Sequence, residues 1–253
     1  MISRPENMGN IESLLKSNDV DSTRWYPTRI SVYENELRQG ILTNMDTSFR
    51  SNIAYSLQYL EFLERQLAEL KLSSVIDSLV IKSYIITSAA IIEIVFYHIA
   101  KVNNKIKKNF WKQGKLQDIK NITSKDGKIQ KISQMIQTKL DEPIIEPPTF
   151  KTLISIVRDN KLLNEVNVNA WNRYFKSLRK LRNKVHLTSA IKGFETDYWS
   201  FTRVDYLRAK YVLYMILTDS AISNNSQEVL LMHLDTAKEQ IAYYKKNKEI
   251  IIK

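Results

Sequence analysis

The 253-residue sequence contains no cysteine, and it has only five glycines and five prolines. Without cysteine the chain can form neither disulfides nor thiolate metal sites. The scarcity of glycine and proline argues against an all-β protein with many tight turns and against a glycine-rich phosphate loop. The opening MISRPENMGN also has no apolar core of a secretory signal, so we expect a cytoplasmic protein.

Several motifs of known enzyme classes are missing as well. The sequence has no HExxH, no EF-hand loop and no Gly-x-Ser-x-Gly elbow, and we therefore expect neither a metal site nor a cofactor. Only three histidines occur. His98 and His233 lie in apolar runs typical of packed side chains, whereas His186 follows a strongly basic stretch.

The formal net charge is +11, and the lysines are clustered. Ten lysines but only two acids lie between Lys101 and Lys131, with Phe110 and Trp111 among them. A basic stretch with aromatic residues suits binding of a single-stranded nucleic acid, although a solvated excursion between helices has the same composition. The candidate nucleic-acid-binding residues are Lys105, Lys107, Lys108, Lys112, Trp111, Lys176, Lys180 and Lys184.

The apolar periodicity predicts an all-α bundle. Residues 1–47 read as an N-terminal arm, and residues 48–253 read as one helical domain with a basic insertion at about 104–148. Two long helices are expected, one of about 25 residues from Ser48 and one from Ser74 to about Asn103. A short helix is expected at Ile129 to Leu140, and further helices are expected at about 204–220 and after Ser226.

The second long helix is apolar nearly all round, which indicates the centre of a bundle. A membrane span is the rival interpretation, but Asp77, Lys82, Glu93 and His98 interrupt the run, and we expect no membrane association. Glu93 lies in this apolar setting and therefore needs a partner. Glu93 can form a structural salt bridge within the bundle, or it can pair with Arg179 or Arg182 and orient the candidate site. The sequence leaves both interpretations open.

The segment Trp171 to Ala190 has apolar residues at three- and four-residue steps, which predicts one face of a helix capped by Asn169. A second face carries Arg179, Arg182, Asn183 and His186, so that guanidinium, amide and imidazole can reach one point. This combination suits a phosphodiester that undergoes proton transfer.

The stretch LRKLRNKVHL within this segment resembles the RNA-targeting motif of HEPN domains, in which an arginine and a polar residue precede a histidine. The resemblance covers about residues 48–220 and implies an all-α bundle that cuts RNA without metal through the 2′-hydroxyl. It implies that Arg182, assisted by Arg179, stabilises the phosphate charge and that His186 transfers protons. It also implies that Asn183 orients the imidazole or the phosphate and that Glu93 holds an arginine in position. Three residues separate Arg182 from His186, whereas six separate Arg179 from it.

We therefore predict a HEPN-type endoribonuclease of the toxin or phage-defence kind. RNA is the expected partner, together with a second copy bound through the motif-bearing helix and an antitoxin or regulatory protein. The alternatives are a catalytically inactive HEPN-like module that binds RNA or protein, and a purely structural helical protein.

Overall fold

The structure is a computed structural model that describes residues 26–184 and 201–223. Its elements are α1 (Ile30–Glu36), a 3-10 helix (Gly40–Asn44), α2 (Thr47–Glu69), α3 (Ser74–Val102), β1 (Asn109–Thr123), β2 (Ile129–Ile144), α4 (Phe150–Asp159), α5 (Val168–Ala170), a π-helical segment (Trp171–Phe175), α6 (Lys176–Asn183) and α7 (Arg203–Leu217). We call residues 168–183, which run continuously through α5, the π-helical segment and α6, the motif helix. The helix predicted after Ser226 lies outside the described residues.

The prediction of an all-α fold is wrong, because the described chain is 58% helix and 17% strand and is of the mixed class. Strands β1 and β2 pair antiparallel as a two-stranded hairpin, residues 109–144, which we call the ribbon. The short helix predicted at Ile129 to Leu140 is instead most of β2. At about 3.3 Å per residue, β1 alone extends about 50 Å.

Local sequence explains why the ribbon replaces the predicted helix. Ile132, Ile136 and Leu140 recur every four residues, and this spacing satisfies both one helix face and one strand face. The turn between the two strands favours a hairpin over a helix. Gly127 adopts a φ of +77° there, and its N–H donates to the carbonyl of Ser124 over 2.9 Å. A glycine in the left-handed region fits a short hairpin connection.

The helical part is organised around α3. This helix packs against α2, α4, α6 and α7, and Ile85, Ile92 and Phe96 on it are fully buried. By length and composition α3 could also span a membrane, and half of its apolar window is buried. Its contacts with four other helices favour the interpretation as a core helix. His98 is buried as expected, and its Nε2 lies 2.9 Å from the carbonyl oxygen of Ile41.

Two helices begin next to side chains that cap them. Ser73 caps α3 by accepting from the N–H of Ile76, and Thr149 caps α4 by accepting from the N–H of Thr152. Such caps satisfy amide groups that have no partner within the first helical turn. The predicted cap Asn169 is wrong, because the side chain of Asn167 accepts from Ala170 and begins the helix two residues earlier.

The segment before α2 packs on the same core. Tyr33, Leu37 and Leu42 are at most 1% exposed. Gly40 has a φ of +56°, and a Cβ atom there would lie 2.0 Å from the carbonyl oxygen of Ile222. Only glycine fits this close approach, which joins the 3-10 helix to the residues that follow α7.

A buried polar network crosses the bundle. The Lys210 ammonium on α7 lies 3.1 Å from Glu64 Oε2 on α2, and the Tyr84 hydroxyl on α3 donates to Glu64 Oε1 over 2.8 Å. Burial raises the pKa of the Glu64 carboxyl, although the nearby Lys210 charge opposes the rise. Burial, reinforced by the Glu64 charge, also raises the pKa of Tyr84 well above its ordinary value. Both groups therefore depend on their partners in the core.

Candidate functional site

An ion pair between α3 and α6 forms the centre of the candidate site. The Arg182 Nη2 donates to Glu93 Oε2 over 2.8 Å. Of the two arginines considered as partners of Glu93, Arg182 makes this contact. The side chains of Arg182 and Glu93 are 40% and 26% exposed, so the pair lies at the rim of the bundle and its carboxylate is only partly desolvated.

A third element holds the same guanidinium. The Arg182 guanidinium carbon lies 5.8 Å from the centroid of the Phe150 ring at the start of α4, within the range of a cation–π contact. Glu93 therefore fixes one edge of the guanidinium, and Phe150 contacts its face. A guanidinium has five N–H donors, so those not used by Glu93 can bind an external anion.

Aromatic packing sets the position of the motif helix beneath this pair. Phe96 of α3 stacks on Phe175 with ring centroids 5.8 Å apart and lies 5.9 Å from the Trp171 ring. Trp171 and Phe175 contact each other at 4.3 Å, and both belong to the π-helical segment. This cluster anchors the N-terminal part of the helix, and Arg182 lies near its C-terminal end.

The motif helix and its cap are strongly basic. Residues 168–184 contain six Lys or Arg residues and no Asp or Glu. Lys180 and Arg182 lie in the last turn of α6, where the partial negative charge of the helix end favours cations. Lys176, Lys180 and Asn183 are exposed, while Arg179 and Lys184 are partly exposed. Arg179 forms no ion pair with any residue in the described ranges.

The candidate base lies beyond these residues. Helix α6 ends at Asn183 with Lys184 as its cap, and His186 lies outside the described residues, as does His233. The described part of the site thus comprises Arg182, Glu93 and the surrounding cations. This arrangement can bind a phosphate and stabilise negative charge on its oxygens.

The other candidate nucleic-acid-binding residues lie on or just before the ribbon. Lys105, Lys107 and Lys108 are exposed in the connection from α3 to β1, and Lys112 and Trp111 are exposed on β1. The Trp111 side chain is 48% exposed. Strands β1 and β2 contact chiefly each other, and large apolar side chains such as Leu116 and Ile136 are exposed along them. The ribbon therefore presents basic, aromatic and aliphatic groups to solvent.

The sequence pattern did not indicate two features of the site. The contact of Phe150 with Arg182 joins residues far apart in the chain, and it forms because α4 and α6 both pack on α3. A pocket beside the π-helical segment, lined in part by Tyr174 and Tyr211, was also missed. The tyrosines of the π-helical segment and of α7 were the sequence feature from which this pocket could have been predicted.

The described residues do not suggest a metal centre. Among residues 26–184 and 201–223, no group of three or more His, Asp or Glu side chains could hold a metal ion. No family model, curated protein or solved structure matches the chain. The chemistry of its own side chains is therefore the basis for assigning a function.

Proposed function

We propose that this protein is a metal-independent endoribonuclease with Arg182 and His186 at its centre. The observation that carries the proposal is the ion pair of Arg182 with Glu93, at 2.8 Å, on a helix rich in cations and free of acids. A positioned arginine among clustered cations suits a phosphodiester, and the resemblance of LRKLRNKVHL to the HEPN motif points to the same substrate.

In this proposal the 2′-oxygen of the RNA attacks the adjacent phosphorus as His186 removes the hydroxyl proton. The unused N–H donors of Arg182 bind the non-bridging oxygens as their negative charge grows. The bond to the 5′-oxygen breaks, and that oxygen takes up a proton. The products are a 2′,3′-cyclic phosphate and a 5′-hydroxyl. Asn183 orients the imidazole or phosphate, Arg179 adds positive charge, and Glu93 positions Arg182.

One imidazole serves as base or as acid in a single step. We expect a second copy of the chain to supply the other group through the motif helix, as the HEPN resemblance implies. Lys176, Lys180 and Lys184 would neutralise phosphates on either side of the cut. Lys105, Lys107, Lys108 and Lys112 would hold the more distant backbone, and Trp111 would stack on a base.

The test compares two arginines that each pair with a carboxylate. Arg182→Ala should abolish cleavage of a mixed RNA pool in chelator, whereas Arg158→Ala should cut like the unaltered protein. Arg158 is the matched control because it is 46% exposed and lies 2.8 Å from Asp159 on α4. Equal cleavage by both variants, both still folded, would refute the role of Arg182.

A second candidate function is an RNA-binding module without catalysis. The contacts of Arg182 with both Glu93 and Phe150 favour it, because they join α6 to α3 and α4 as a structural clamp would. In that case RNA binds with a strong salt dependence, no product forms, and Arg182→Ala lowers the melting temperature. A filter-binding series across salt concentrations, with product analysis of each sample, separates the two functions.

A further inference from the structure

A pocket lies on the other side of the motif helix, between the π-helical segment and α7. Its volume is about 370 Å³, which lies in the range of small-ligand sites. The chain from Glu165 to Tyr174 forms one wall, and Tyr211, Tyr214 and Thr218 of α7 form the other. Arg182 instead contacts α3 and α4, so the pocket is separate from the proposed cleavage site.

The pocket has an aromatic wall. The Tyr174 and Tyr211 rings meet edge to face, with centroids 5.4 Å apart and an angle of 71° between the planes. Both side chains are partly exposed, as is Tyr214 beside them. Rings held in fixed positions at a surface are suited to stacking on a flat heteroaromatic ligand such as a nucleic-acid base.

A cation lies beside this wall. Arg173 is exposed, and its guanidinium carbon lies 5.9 Å from the Tyr174 ring centroid. Within the described ranges Arg173 forms no hydrogen bond or ion pair. None of the described side chains therefore occupies its donors, and phosphate matches their fork geometry.

The other polar side chains that line the pocket differ in whether they already form hydrogen bonds within the protein. Glu165 Oε1 accepts from the Ser220 N–H over 3.3 Å, and Asn167 accepts from the Ala170 N–H over 2.9 Å. The Asn169 side chain lines the pocket and is exposed, and its amide can both donate to and accept from a base edge. The Glu165 carboxylate can accept from an exocyclic amino group or a ribose hydroxyl.

We propose that this pocket binds a nucleoside monophosphate unit, with the base on the tyrosine wall and the phosphate on Arg173. The unit is either a free mononucleotide or one nucleotide of a longer RNA, because both present the same base and phosphate. The proposal does not depend on cleavage at Arg182.

The experiment titrates the full chain with each of the four 5′-monophosphates by calorimetry in chelator. The matching nucleosides, inorganic phosphate and a short oligonucleotide serve as further arms. Saturable binding of at least one monophosphate, at least tenfold tighter than its nucleoside or phosphate alone, is the expected result. If the oligonucleotide displaces the bound monophosphate, the natural occupant is a nucleotide of an RNA chain. If the oligonucleotide does not displace it, the occupant is the free mononucleotide.

Variants assign that binding to the pocket. Arg173→Ala removes the phosphate contact and should weaken binding about tenfold to hundredfold, and Tyr174→Leu should weaken it roughly fivefold or more. Arg158→Ala is the matched control, because it removes an exposed arginine of α4 that does not line the pocket.

Three results would overturn the proposal. They are no saturable binding of any monophosphate, binding of inorganic phosphate as tight as that of the nucleotides, and binding that is unaffected by Arg173→Ala. Failure of RNA cleavage alone would refute the ribonuclease and leave the nucleotide pocket standing.

Discussion

Removal of the Lys210 charge tests the account of the bundle core. Lys210→Met keeps most of the side-chain volume and deletes the ammonium that lies 3.1 Å from Glu64 Oε2. The two side chains are only 5% and 13% exposed, so water cannot replace the missing ammonium. Breaking such a buried pair from one side costs about 3–5 kcal/mol, because the remaining charge is left desolvated.

That loss is large against the total stability of a domain, which is about 5–15 kcal/mol. In urea the midpoint of unfolding should fall by roughly 1–2 M. Lys101→Met is the matched control. Lys101 also lies 3.3 Å from a carboxylate, that of Asp46, but these side chains are 51% and 58% exposed. This exposed pair should contribute about 1 kcal/mol or less.

The pH dependence of the same variant has a defined sign. Burial raises the pKa of the Glu64 carboxyl in the folded protein, so its linked stability is present at acid pH and is lost as pH rises through the folded pKa. Without Lys210 the folded pKa rises further. The deficit of Lys210→Met should therefore be smaller near pH 5 than near pH 8. Equal midpoints for the Lys210 and Lys101 variants, or a deficit that grows in acid, would refute this account.

Three further changes have expected outcomes. Phe96→Ala removes the fully buried ring between Trp171 and Phe175, and it should lower the free energy of unfolding by about 3–5 kcal/mol in urea. Gly40→Ala forces a Cβ atom to 2.0 Å from a backbone oxygen and should cost about 2 kcal/mol or more, whereas Gly127→Ala, with nothing within 4 Å, should cost less by differential scanning calorimetry. Replacement of residues 112–139 by a short Gly-Ser linker should leave the unfolding midpoint of the helices unchanged, and it should reduce the salt slope of RNA binding by about 0.7 for each phosphate that the ribbon no longer neutralises. A large fall in that midpoint, or an unchanged salt slope, would show that the ribbon has a different role.

The helical part could be predicted from the sequence because its signals are local. Serine and threonine caps precede long runs of apolar residues, and α3 is apolar nearly all round, as the centre of a bundle requires. The partner of Glu93 could be narrowed to two arginines, because a carboxylate in an apolar setting needs a cation. The choice of Arg182 depends on how α6 lies against α3, which periodicity does not specify.

The ribbon could not be predicted from the same signals. A four-residue spacing of aliphatic residues fits a helix face and a strand face equally well. The single glycine of the turn, Gly127, was too weak a signal to favour a hairpin over a helix. The π-helical segment and the contact of Phe150 with Arg182 arise from tertiary packing. The start of the motif helix at Asn167 was missed because two asparagines, Asn167 and Asn169, are equally good caps by residue type.

The most direct test of the central claim is a single-turnover cleavage assay on RNA in chelator, with the chemical nature of the new ends determined. The ribonuclease proposal predicts 2′,3′-cyclic phosphate and 5′-hydroxyl ends from the unaltered protein, and no product from His186→Ala of the same stability. Cleavage that requires added magnesium, or equal cleavage by the His186→Ala protein, would contradict it.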